Sequence, residues 1–426
     1  MKITEIATHE ICPPFHEWNS EAITRYQGPE FRCRTVYVFR ADNGLEGLGE
    51  RGGRQTPADD EWISRLEDTN PAEWLAYPEL PVWLACGIYD LVAKFNDIPV
   101  YRLFGPRVEG WHVAGSGLLT ERVPVSAWAV SQSPEKMAEE VVHAVEGGHT
   151  WLKYHTNHFH DIVAQTEAMQ AVSPRGFKVH YDLNFDSTVE HILSLGRQLE
   201  EYPIAGAFED PVRNEDFEGY RELRSRSPIP IYFHHLPLQG REATMGLADG
   251  YLMGHTPVGN AIRRAGLFEA SNIPFMLQNT GGNITRAFVA HMATAFPGAT
   301  LHHVTATDLW AEDVVSPPFT VAGGTIAVSE EPGLGLTLDR DALSKWERVG
   351  PPELPRALVR ITYRDMSPIY GRLPVNSLRH QAGVAPAHLG AFGGGYDQPV
   401  DMDYWDNDGT AEFARLWELT ASGLAG

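Results

Sequence analysis

Cysteine, long apolar runs and positive charge are all scarce in this chain, and each scarcity removes a class of function. Cys12, Cys33 and Cys86 are the only cysteines in 426 residues, an odd number with no metal-binding or redox spacing. They argue against a disulfide framework or a thiolate metal centre, and the expectation is buried free thiols. No stretch approaches the roughly 20 apolar residues of a membrane span, and Met1-Lys2-Ile3-Thr4-Glu5 lacks the apolar core of a leader peptide. A cytoplasmic protein is expected. With 34 Lys and Arg against 56 Asp and Glu, the net charge of −22 argues against nucleic acid and anionic membranes as partners, since both require a positive face. No G-x-G-x-x-G turn opens a helix, which disfavours a dinucleotide-binding doubly wound sheet.

Strand and helix signals, by contrast, run through most of the chain, whose length suits two domains, one of them a barrel of about 250 residues. Ile3 to Ile11 reads as a strand. A second, Arg34 to Phe39, meets the turn Asp42-Asn43-Gly44 and returns through Leu45 to Gly49 as a hairpin. Between them, Pro13 to Glu30 reads as a covering loop. A helix is predicted from Pro81 to Lys94, ending before Pro99. Residues 1–110 therefore form an N-terminal α+β domain.

Beyond it, strand and helix alternate. One helix begins at Ser133-Pro134 and stops at Gly147-Gly148; another has Ser187 and Glu190 at capping-box spacing. Three buried strands, Trp151–His155, Phe177–Asn184 and Ala205–Pro211, end in polar side chains. Alternation puts Lys153 and His155 on one face, and Asp182 and Asn184 likewise. Candidate strand ends fall at Lys153, Asp182, Glu209, His235, Gly254 and Gln278, which by subtraction lie 29, 27, 26, 19 and 24 residues apart. That is the period of one strand plus one helix, repeated, and it favours a closed parallel barrel over 111–346. Residues 347–426 are too aromatic for a disordered tail and read as an ordered extension on the barrel or a second subunit, with a final helix from Thr410 to about Ala421.

The segments Ala85 to Lys94, Pro99-Val100-Tyr101-Arg102-Leu103-Phe104-Gly105, Asp182-Leu183-Asn184, Glu209-Asp210-Pro211 and Pro332 to Asp339 together resemble the enolase superfamily, in its mandelate racemase and muconate lactonizing branch. The resemblance covers roughly residues 1–346. It implies a modified TIM barrel under an N-terminal capping domain, a magnesium ion, and removal of a proton next to a carboxylate. By motif, Asp182 and Glu209 match the first two metal ligands and His235 stands at the third. Imidazole suits zinc, iron or manganese better than magnesium, so the metal is magnesium or another divalent ion.

The family's K-x-K pair is here Lys153 and His155. Histidine is a competent base near neutral pH, so His155 is the expected base and Lys153 the expected partner of a substrate carboxylate. On the opposite face, Gly254 and Gln278 replace the relatives' titrating groups, and His255 counts only if that strand end is irregular. Asn184, Gln278 and Arg51 are expected at the substrate, with Arg54 able to join Arg51 on an anionic distal group. His158, His160, His180, His302 and His303 read as structural. The expected activity is dehydration of an acid sugar or related hydroxy acid, a lyase reaction on a small carboxylate substrate, by a homo-oligomer. A carboxylate-binding barrel that is metal-free or non-catalytic, and a one-face isomerase or cycloisomerase, are the alternatives.

Overall fold

The computed structural model describes residues 1–104, 121–157, 159–185, 187–363, 367–381 and 400–426. His158 and the boundary expected at residue 110 lie outside them. At the N-terminus, β1 (Ile3–Ile11), β2 (Arg34–Ala41) and β3 (Glu46–Gly52) form an antiparallel sheet in that order. The segment expected to be a covering loop contains instead a helix, α1 (Glu17–Gln27), because Asn19, Ile23 and Tyr26 recur at helical spacing and bury one face. Helices α2 (Pro57–Leu66) and α3 (Val82–Phe95) complete the cap.

The thiol expectation is corrected by register. Pairing of Ile11 with Arg34 places the next residues along, Cys12 and Cys33, side by side with Cα atoms 4.2 Å apart, and they form a disulfide. Cys86 alone stays a buried free thiol. One carboxylate ties two of the diagnostic segments together. On α3, Asp90 accepts hydrogen bonds from Leu48 N–H and Leu334 N–H, both at 2.8 Å, and pairs with Lys94.

The barrel strands are β4 (Arg122–Val130), β5 (Trp151–His155), β6 (Lys178–Asp182), β7 (Ala205–Glu209), β8 (Ile231–Phe233), β9 (Gly250–Gly254), β10 (Phe275–Gln278) and β11 (His303–Val304). Each pairs in parallel with the next, and β11 returns to β4 through His303–Val125 and Val304–Ser126, closing the barrel. Six helices run outside it: α4 (Pro134–Glu146), α5 (Ile162–Val172), α6 (Val189–Leu199), α7 (Phe217–Arg226), α8 (Val258–Ala270) and α9 (Asn283–Ala295). The cap of α6 is Thr188, which accepts from His191 N–H at 3.3 Å, one residue after the expected Ser187. The fifth strand ends at Phe233, two residues before the expected His235. Strands β12 (Val315–Ser316), β13 (Thr325–Ala327) and β14 (Thr337–Leu338) and helix α10 (Arg340–Glu347) follow.

The extension is ordered where described. Strands β15 (Ala357–Tyr363), β16 (Ile369–Arg372) and β17 (Val400–Asp406) form an antiparallel sheet, accompanied by α11 (Val375–Gln381) and α12 (Ala411–Leu419). Alternation along β15 decides what it covers. Ala357, Val359 and Ile361 join the apolar cluster of Phe15, Ile23, Tyr26 and the barrel residues Trp128 and Tyr232, while Leu358 packs with Phe413 and Leu416 of α12. Among the described residues, no helix is long and apolar enough to cross a membrane.

Candidate active site

Strand register assembles the site in two layers. His155 is the cross-strand neighbour of Asp182, and Asp182 of Glu209, so these three form a row at the C-terminal rim. One layer below, Lys153 is paired with His180. The Lys153 ammonium is fully buried and lies 3.0 Å from Asp182 Oδ2, 2.6 Å from Glu209 Oε2 and 2.7 Å from Gln278 Oε1. The contact to Gln278 is a hydrogen bond and those to the two carboxylates are ion pairs.

His155 is the accessible member of the row, with a side chain 18% exposed and Nε2 3.2 Å from Asp182 Oδ2. Its ring stands edge-on to Trp128 at 5.0 Å and to Tyr26 of α1 at 5.9 Å. Burial and the neighbouring Glu209 oppose ionisation of Asp182, but Lys153 and His155 outweigh them and hold its carboxyl far below the usual range. Glu209 behaves alike: burial opposes its charge, and Lys153, His180 and His234 hold its carboxyl well below the ordinary value. His180 Nε2 approaches Glu209 Oε2 to 2.8 Å and His234 Nδ1 approaches Oε1 to 2.9 Å, as ion-pair contacts rather than aligned hydrogen bonds. Behind His180, at 2.9 Å from its Nδ1, is His302 Nε2, and the His302 ring is stacked on Trp151 at 3.8 Å.

The rim turns through left-handed residues. Asn184, Phe185, Asp210, His235, His255 and Ala306 all have φ between +43° and +67°, each just after a barrel strand. Such strain concentrates where a site is built. Asn184 has left the strand face expected for it, and its side-chain amide donates to the Asp182 carbonyl at 3.0 Å. His255 does meet the condition of an irregular strand end. It lines a cavity of about 530 Å³ between cap and barrel, with Arg51, Trp83, Asn279 and Thr280. Arg51 is in the cavity wall, paired with Asp59 and stacked over Trp83, whereas Arg54 is held by Glu10 and Glu30.

Residues 136–342 match the sequence profile described as enolase C-terminal domain-like. The D-gluconate dehydratase of Thermoproteus tenax is 25% identical over 295 residues, which are 63% of this chain and 56% of that protein. The D-galactonate dehydratase of Variovorax paradoxus strain S110 is 22% identical over 386 residues, 83% of this chain and 96% of the relative. The crystal structure of muconate cycloisomerase from Pseudomonas fluorescens superposes with a TM-score of 0.64 at 20% identity, covering 82% of this chain and 99% of that one. By the profile match, residues 136–342 belong to the enolase superfamily. The chain's fold is that superfamily's barrel under an antiparallel cap, in the mandelate racemase and muconate lactonizing branch.

The residues expected at the metal separate into two groups. Asp182 and Glu209 converge on the Lys153 ammonium, and both Glu209 oxygens are buried without a hydrogen-bond partner. Two buried carboxylates, one with unpartnered oxygens, are hard donors of the kind a divalent ion takes, with Lys153 as the counter-charge between them. His235 lies apart from both, 58% exposed, with its Nε2 4.0 Å from Asp210 Oδ2. Its neighbour His234, which sequence reasoning passed over, is the one beside Glu209. Gly254 was a usable signal, because a Cβ there would lie 2.1 Å from His234 Nε2, so the missing side chain leaves room for this ring. His180 was also missed, although it sits two residues before Asp182 on the same strand face.

Proposed function

We propose that this protein removes the proton α to the carboxylate of a small hydroxy acid and expels water, with acid sugars as the substrate class. The observation that carries the reading is the pairing of His155 with Asp182 at the mouth of the barrel. An Asp182 carboxylate accepting from Nε2–H orients the imidazole and leaves Nδ1 to take the proton. The resulting imidazolium is stabilised by the same carboxylate and returns its proton to the leaving hydroxyl, so one histidine serves as base and then as acid. Lys153 is the buried counter-charge that keeps Asp182 ionised. The cavity beside Arg51, Asn279 and Thr280 supplies hydrogen-bonding groups for the hydroxyls of a sugar chain. The dehydratase relatives reported above, named for D-gluconate and D-galactonate, support this class.

The test is incubation with D-gluconate, D-galactonate and D-xylonate in deuterated water, read by NMR for α-proton exchange and for loss of water. At least one acid is expected to react, and His155→Asn to slow both processes by about 10²–10⁴-fold. Unimpaired turnover by His155→Asn would remove His155 from the chemistry. Saturable binding of these acids without exchange would favour a carboxylate-binding barrel instead.

A further inference from the structure

Among the described residues, one set of metal-ligating side chains converges beside the Lys153 cluster. A carboxylate oxygen of Asp210 and one ring nitrogen each of His234 and His235 all lie within 4.8 Å of one another. We infer that these three residues form a divalent-cation site, displaced one step outward along the rim from Asp182 and Glu209. The inference stands on this geometry, and the reaction proposed above is not needed for it.

Neighbouring residues in a strand point to opposite faces, so His234 and His235 reach one site only because the strand has ended. Strand β8 stops at Phe233, and the left-handed turn at His235, φ +54°, folds the second ring onto the first at 3.9 Å with 24° between planes. Asp210 comes from the next strand over and is 2% exposed. Its Oδ1 accepts from His234 N–H at 2.9 Å and from the Tyr220 hydroxyl at 3.3 Å, which fixes the carboxylate. Its Oδ2 accepts no hydrogen bond among the described residues and faces His235 Nε2 at 4.0 Å. The Asp210 carboxylate and the two imidazoles are close enough to share one ion. Two nitrogens and one oxygen select zinc, manganese or ferrous iron over magnesium, and they leave further positions open.

The experiment uses the full chain, stripped of metal and titrated calorimetrically with Zn²⁺, Mn²⁺ and Mg²⁺, with elemental analysis for stoichiometry. One Zn²⁺ or Mn²⁺ per chain is expected, with Mg²⁺ weaker by at least about tenfold. His235→Ala changes an exposed side chain and leaves the core intact; it should weaken binding by about 100-fold and alter the visible spectrum of the Co²⁺-loaded protein. Asp182→Asn, checked for fold by circular dichroism, should keep the ion. No ion bound by the wild type, unchanged affinity in His235→Ala, or loss in Asp182→Asn with retention in His235→Ala would each overturn the site. An intact ion site without dehydration would strike only the proposed reaction.

Discussion

Burial pushes the Glu140 carboxyl on α4 up to about 7, and the hydrogen bond from Gln132 Nε2 to its Oε1, at 2.8 Å, opposes that shift only in part. Lys153 is at least as deeply buried, yet its ammonium is held above the usual value, because Asp182 and Glu209 outweigh the cost of burial. Between roughly its ordinary value of 4.5 and about 7, folded Glu140 keeps a proton that the unfolded chain has released. Stability from this group is therefore full at low pH and lost as pH rises through that window, by an amount on the order of 2–3 kcal/mol. Glu140→Gln should flatten the slope of melting temperature between pH 5 and 7 and raise it by a few degrees at pH 8. Equal melting curves for variant and wild type at pH 8 would show that the carboxyl titrates normally.

At the scale of elements, α9 and the cap sheet are joined by buried charge. Arg34 on β2 is fully buried, with Nη1 2.7 Å from Glu50 Oε1 on β3 and 3.3 Å from Asp313 Oδ2. The same carboxylates accept from the first turn of α9, Glu50 Oε2 from Thr285 N–H at 3.0 Å and Asp313 Oδ2 from Asn283 N–H at 2.8 Å. They satisfy donors that a helix start leaves without intrahelical partners. The arrangement depends on Gly282, where a Cβ would fall 1.3 Å from Arg34 Nη1. Gly282→Ala must expel the guanidinium and leave buried carboxylates uncompensated, which costs about 3–5 kcal/mol. Denaturant unfolding of this variant should show that loss; an unchanged midpoint would mean that Arg34 contributes little to holding cap and barrel together.

Across the whole molecule, the C-terminal extension holds α1 over the site. Arg25 of α1 reaches Asp406 at 2.8 Å and sits over the Tyr404 ring at 5.0 Å, and Phe159, from the loop after β5, stacks on Tyr404 at 4.3 Å. The next residue of α1, Tyr26, touches the His155 ring. Tyr404→Ala should therefore loosen α1 first. Amide hydrogen exchange over residues 17–27 is expected to rise while barrel strands stay protected. Unchanged exchange in α1 would mean that the cap holds it without the extension.

The sequence by itself determined the barrel, the helix Val82–Phe95 and the placement of Lys153, His155, Asp182 and Glu209 near the strand ends. These follow from local regularities, the two-residue alternation of strands and the recurring strand-helix period, and both survive folding unchanged. Only the tertiary structure decided the rest. The Cys12–Cys33 bond depends on a cross-strand register between residues 21 apart. The partners of Lys153 come from three other strands, one of them 125 residues away at Gln278. The exchange of His235 for His234 beside Glu209 follows from where β8 stops and from a left-handed turn at a non-glycine residue, which side-chain alternation does not encode. Non-local pairing and strained turns, unlike periodicity, exist only once the chain has closed on itself.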